Sequence, residues 1–87
     1  MIINGLRFEK TSFACPEQYD VFLKNKQVGY LRLRHGVFRI DCPDCGGETI
    51  FTHEPPEADG IFNNSEQREY FLKLSSVRIL EWLDENY

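Results

Sequence analysis

Cys42-Pro43-Asp44-Cys45-Gly46-Gly47 is the stretch whose residue types and spacing point to chemistry. Two cysteines separated by two residues, one of them a proline, can bring both sulfurs to one side of a tight turn, as tetrahedral zinc requires. Pro43 sets the bend, and Gly46 is free to take a left-handed conformation after the second sulfur. Zinc asks for four ligands and this pair supplies two. Cys15, in a loop ahead of the second strand, and His53, at the end of the last strand, would complete a Cys3His site on condition that all four side chains converge. His35 is the poorer candidate because it sits in a turn at the far end of a hairpin. Two other readings of the same residues are a plain turn with two free thiols and a redox dithiol. The redox reading lacks the helix N-terminus that lowers a thiol pKa, since Gly46-Gly47 and a strand follow.

The elements that must position these residues read as strands over 2 to 9, 19 to 24, 27 to 34, 37 to 42 and 48 to 53, from their alternating and β-branched patterns. Cys15-Pro16 breaks a loop over 11 to 18, and Pro55-Pro56 with Gly60 marks another over 54 to 64. Ser65 to Glu85 reads as one helix, capped by Asn64 or Ser65, with Glu66 in its first turn. The pattern predicts a single α+β domain over residues 1–87, an antiparallel four- to five-stranded β-meander with one long C-terminal α-helix packed on one face.

The hairpin register follows from the turns. With His35-Gly36 as a two-residue turn, Leu33 faces Phe38, Leu31 faces Ile40, and all four share one side of the sheet. With Asn25-Lys26 as a two-residue turn, Phe22 lies over Gly29 on that same side. A three-residue turn instead flips the first strand and sends Val21 and Leu23 inside. The other side carries Tyr30, Arg32, Arg34 and Arg39. It sets Arg32 directly opposite Arg39, an unfavourable pairing that calls for a counter-charge such as Asp41, a bound anion or an acidic partner.

On the helix, Phe71, Leu72, Ser75, Ile79, Trp82 and Leu83 share the face expected to cover the sheet, with Ser75 and Ser76 small where the sheet approaches. Tyr70, Leu74 and Val77 form a second stripe. Either the loop 54 to 64 or the first strand folds over it, or it is a contact surface for a partner or a second copy in a homodimer.

Composition bounds the reading. The chain has 87 residues, 41 % hydrophobic and 28 % charged, ordinary values for a small globular protein. No apolar run is long enough to span a bilayer, and the first residues lack the pattern of an export signal. A cytoplasmic location is therefore expected, with the three cysteines as thiols or ligands rather than disulfides. Residues 1 to 41 carry seven Lys/Arg against four Asp/Glu, and residues 42 to 87 carry three against ten, so +3 and −7 make up the net −4. That asymmetry either draws the two halves together or leaves a basic face for an anionic partner.

Two resemblances attach to these residues. The Cys42–Cys45 turn resembles a single zinc-ribbon knuckle, and this implies a zinc-bearing, nucleic-acid-associated module. The run Gln27-Val28-Gly29-Tyr30-Leu31-Arg32-Leu33 is similar to the central hairpin strand of acetyl-CoA-dependent N-acetyltransferases, which implies a reduced acyltransferase-like enzyme. That family holds the cofactor pyrophosphate on a Gly-rich loop at a helix start. The corresponding approach here is Asp59-Gly60-Ile61-Phe62-Asn63-Asn64, with one glycine and an acid. The residues themselves point first to a non-enzymatic interaction module that binds a protein partner through the Tyr30, Arg32, Arg34, Arg39 face, with the Tyr70, Leu74, Val77 stripe as second surface. A nucleic acid would use the same basic face, through one aromatic among arginines.

Overall fold

The computed structural model describes residues 1–12 and 15–86. Six strands form one antiparallel sheet in sequence order: β1 (Ile2–Ile3), β2 (Leu6–Lys10), β3 (Glu17–Leu23), β4 (Lys26–Arg34), β5 (Val37–Cys42) and β6 (Glu48–His53). One helix, α1 (Ser65–Asn86), lies across one face. Among the described residues no helix is long and apolar enough to cross a membrane.

The sheet has one strand more than the pattern predicts, because residues 2 to 9 form a hairpin rather than a single strand. Asn4 and Gly5 turn the chain at φ 52° and 82°, so that Ile3 pairs with Leu6. Asn-Gly is the pair that tolerates such a turn at least cost. The expected loop over 11 to 18 is shorter, since β3 starts at Glu17; Phe13 and Ala14 in its middle lie outside the described residues.

The β4–β5 hairpin has the register the sequence dictates. His35 and Gly36 take φ 52° and 78°, and Leu33 pairs with Phe38, Arg32 with Arg39 and Leu31 with Ile40. The β3–β4 hairpin does not. Its turn is Lys24-Asn25, one position earlier than expected, and a bulge follows Val21. Val21, not Phe22, therefore lies opposite Gly29 and inside the core, while Leu23 remains partly exposed. Ile79 of α1 fills the space over Gly29; a Cβ there would come within 2.6 Å of Ile79 Cδ1.

Leu6, Phe8, Tyr19, Val21, Leu31, Leu33, Phe38 and Ile40 form the sheet side of the core, and Phe71, Leu72 and Ile79 the helix side. Phe62, from the loop before α1, joins Phe38 and Phe71 in a three-ring cluster with centroids 5.3 to 5.5 Å apart. Each such ring pair contributes about 0.5–1.5 kcal/mol beyond its burial. Ser75 and Ser76 are fully buried mid-helix. Ser75 donates to the Phe71 carbonyl, and Ser76 Oγ accepts from Asn4 Nδ2 at 2.8 Å, which ties the first turn to the helix.

Candidate functional site

The cysteine turn does not gather ligands. Cys42 follows Phe38 and Ile40 on the helix side of β5 and is 1 % exposed in the core. Burial above all, with the Asp41 and Glu48 carboxylates adding, pushes its thiol pKa up to about 12. Cys45 is exposed and lies against Tyr30 on the opposite side of the sheet. Strand alternation puts Cys42 in the core, and the turn after β5 carries Cys45 to the other face.

The other two candidate ligands are at the wrong end of the sheet. Cys15 packs against Gly60 and leaves no room for a Cβ there, while Glu17 pairs with Leu33 beside the His35-Gly36 turn. His53 pairs with Phe38 next to that turn, and its ring lies 5.6 Å from that of Phe71. Cys42 is four residues along β5 from Phe38, about 14 Å at the usual strand rise. Among the described residues no three His, Cys, Asp or Glu side chains come together to hold a metal ion. The condition on the Cys3His site, convergence of Cys15, Cys42, Cys45 and His53, is not met.

The face of the sheet away from α1 is a different matter. Register alone lines up one row across four strands: Gln18 on β3, Arg32 on β4, Arg39 on β5 and Thr52 on β6. Every member can donate a hydrogen bond. Gln18 Oε1 already accepts from the Tyr30 hydroxyl at 2.7 Å, so its amide nitrogen is the group left to donate. Beside this row Arg34, His35 and Val37 complete a shallow concavity of about 360 Å³ with Arg32 and Arg39. Arg34 Nε donates to His35 Nε2 at 3.2 Å.

The counter-charge is partial. Asp41 is buried and places Oδ1 3.1 Å from Arg39 Nε, out of line for a hydrogen bond, and among the described residues that buried nitrogen has no hydrogen-bond partner. Asp41 also accepts from Thr49 Oγ1 at 2.8 Å and from the Gly46 amide at 3.4 Å. The expected partner of Arg32 has therefore gone to Arg39 and to the cysteine turn. Among the described residues Arg32 makes no ion pair. The next row along the face carries three acids, Glu9, Asp20 and Asp41, with Tyr30 and Thr49, and is buried at Tyr30 and Asp41. Tyr30 is buried there, and burial, with the Cys45 sulfur adding, raises its pKa. The ring expected to stack a base is thus not presented to solvent.

The second candidate surface is partly open. Tyr70 is 62 % and Val77 48 % exposed, and Leu74 is half-buried against the core. The loop 54 to 64 runs instead to the β4–β5 turn, where the Gly36 amide donates to the Asp59 carbonyl at 2.6 Å. The N-terminal hairpin lies along one flank of α1, near Leu72 and Lys73, and its Asn4 borders the stripe at Val77 without covering it.

One polar centre escapes a reading of the chain. Glu17 is fully buried between β3 and the start of α1, accepting from Arg68 Nε and Nη2, from the Phe62 amide at 3.1 Å and from the Tyr19 hydroxyl. The signal was its spacing, since an acid two residues before Tyr19 shares its strand face; it was hidden by placing Glu17 in a loop. At the helix start, Asn64 Oδ1 accepts from the Gln67 amide at 2.8 Å, and Gly60 is packed against Cys15. The approach to α1 is therefore used for capping and packing.

Compared with family models, with curated proteins and with solved structures, the chain gives no match.

Proposed function

We propose that this chain is a non-enzymatic interaction module that docks an acidic segment of a protein partner on the open face of its sheet. The observation that carries this reading is the grouping of Arg32, Arg34 and Arg39 around one concavity in which Asp41 pairs with Arg39 alone. Like charges set directly opposite on a sheet destabilise it. A face that keeps such a pair gains most from a ligand that supplies the missing negative charge. Titration of the labelled protein with a Glu-rich peptide at low salt tests it. Amide and guanidinium resonances of Arg32, Arg34 and Arg39 are expected to shift, and the shifts to vanish in Arg32→Glu/Arg39→Glu. Absence of any shift at low ionic strength would remove the reading.

The Tyr70, Leu74, Val77 stripe is the second surface of the proposal. Its exposed ring and flanking aliphatic residues suit a small apolar contact that adds to the charged one.

A further inference from the structure

We propose that the Arg32, Arg34, Arg39 concavity is a phosphate-binding site that takes a phosphorylated side chain of the partner. This rests on the interaction reading above and names the chemistry of what is recognised. The first argument is charge. Three guanidiniums and one carboxylate leave a local balance of three minus one, or +2. An Asp or Glu of a partner would neutralise half of that. A phosphomonoester carries about −1.5 to −2 and matches it.

The second argument is geometry. Gln18, Arg32, Arg39 and Thr52 stand in one row on four paired strands, so their donors are held by the sheet rather than by mobile loops. Guanidinium forks approach phosphate oxygens in pairs, and the flanking amide and hydroxyl add single donors. Arg39 lines the concavity and its side chain is 28 % exposed, so part of it meets a ligand there although its Nε is buried beside Asp41. Val37 and the Arg34 stem supply an apolar wall for the methylene or methyl of the phosphorylated residue.

The third argument selects the partner. The Arg32–Arg39 row is a single row, and one step along the face stand the exposed Glu9 on β2 and the half-buried Asp20 on β3. A nucleic-acid backbone needs a continuous basic track, and its next phosphate would meet those carboxylates. The one tyrosine on that side is buried and unavailable for stacking. An isolated dianionic group on a protein segment fits this layout; a polyanion does not.

The test uses the full chain and four fluorescent probes: a degenerate peptide library centred on phosphoserine, the same library centred on Glu, the same centred on Ser, and a single-stranded oligouridylate. Phosphoserine is expected to bind about tenfold tighter than Glu. That gain is expected to disappear in Arg32→Gln and to survive in Lys73→Gln, which removes an exposed cation of α1. Arg34→Gln, at the exposed end of β4, repeats the test should Arg32→Gln fail to fold. Equal affinity for the phosphoserine and Glu libraries would overturn the phosphate site while leaving the acidic-partner reading in place. No binding of either library would overturn both. Tighter binding of the oligouridylate would overturn the proposal in favour of a nucleic-acid surface.

Discussion

Arg68 meets Glu17 with two donors, Nε 2.7 Å from Oε2 and Nη2 3.2 Å from Oε1. The carboxylate is fully buried and the guanidinium is partly exposed. Their contact fastens the start of β3 to the first turns of α1 and, through the Phe62 amide, to the loop between β6 and the helix. It holds the helix over the sheet and so leaves the arginine row on the opposite face open.

The pair has a defined pH dependence. Burial raises the Glu17 pKa, but the hydrogen bonds from Arg68, Tyr19 and Phe62 outweigh it and leave the carboxyl below the usual 4.5. A depressed carboxylate stabilises the fold above its unfolded pKa, and the contribution is lost as pH falls through the folded value. Arg68→Met leaves a buried carboxylate without a cation and is expected to cost about 3–5 kcal/mol at pH 7. In that variant burial dominates and the Glu17 pKa rises, so the deficit shrinks as pH drops towards 4.5. Denaturant midpoints of both proteins between pH 4 and 8 (about the range over which this linkage is read) check the opposite slopes. Parallel curves would contradict it.

The cysteines are expected to separate by reactivity. Cys15 and Cys45 are exposed, whereas Cys42 is buried with its thiol raised to about 12. Iodoacetamide at neutral pH should add to two thiols in the native protein and to the third after unfolding, as mass spectrometry of the peptides would show. Because the two sulfurs of the turn face opposite ways, added zinc should not raise the melting temperature. Rapid alkylation of Cys42 in the folded protein would count against this placement.

Gly29 is where Ile79 of the helix packs tightly on the sheet. Gly29→Ala puts a methyl 2.6 Å from Ile79 Cδ1 and 3.4 Å from Val21 Cβ, and is expected to cost about 1–3 kcal/mol. Ile79→Val removes the nearest atom and alone costs about 0.5–1.5 kcal/mol. Because the same atom causes the clash, the double variant should lose less than the sum of the two. Additive losses in equilibrium unfolding would mean that the strain lies elsewhere.

The arginine row should trade stability for binding. Arg32→Glu places a carboxylate directly across from Arg39 and turns a repulsive cross-strand pair into an attractive one. Arg39 is 28 % exposed, so solvent screening limits the gain to about 0.5 kcal/mol. The same change should abolish binding of an acidic peptide. A variant that binds no peptide and melts lower than the parent would show that the row serves the fold.

Much of this arrangement was legible in the residues. Leu31, Leu33, Phe38 and Ile40 alternate on either side of His35-Gly36, and a two-residue turn admits one register, so the Arg32–Arg39 pairing followed before any tertiary contact was known. The buried face of α1 followed from helical spacing in the same way. The Asn4-Gly5 turn is equally local, but the alternation of Leu6 and Phe8 makes residues 2 to 9 read as one strand.

What the sequence by itself determined is therefore the set of relations a strand or helix imposes on near neighbours: which side chains share a face and which stand opposite. Tertiary structure decided the rest. The bulge after Val21 sets Val21 opposite Gly29, where Ile79 packs from 50 residues away along the chain. Glu17 became a buried carboxylate because Arg68, 51 residues away, reaches it. Cys42 and Cys45 parted because the turn between β5 and β6 folds over Tyr30 while Cys42 stays in the core. Spacing along a chain limits how close two groups can come; burial and packing against distant residues determine which way they point.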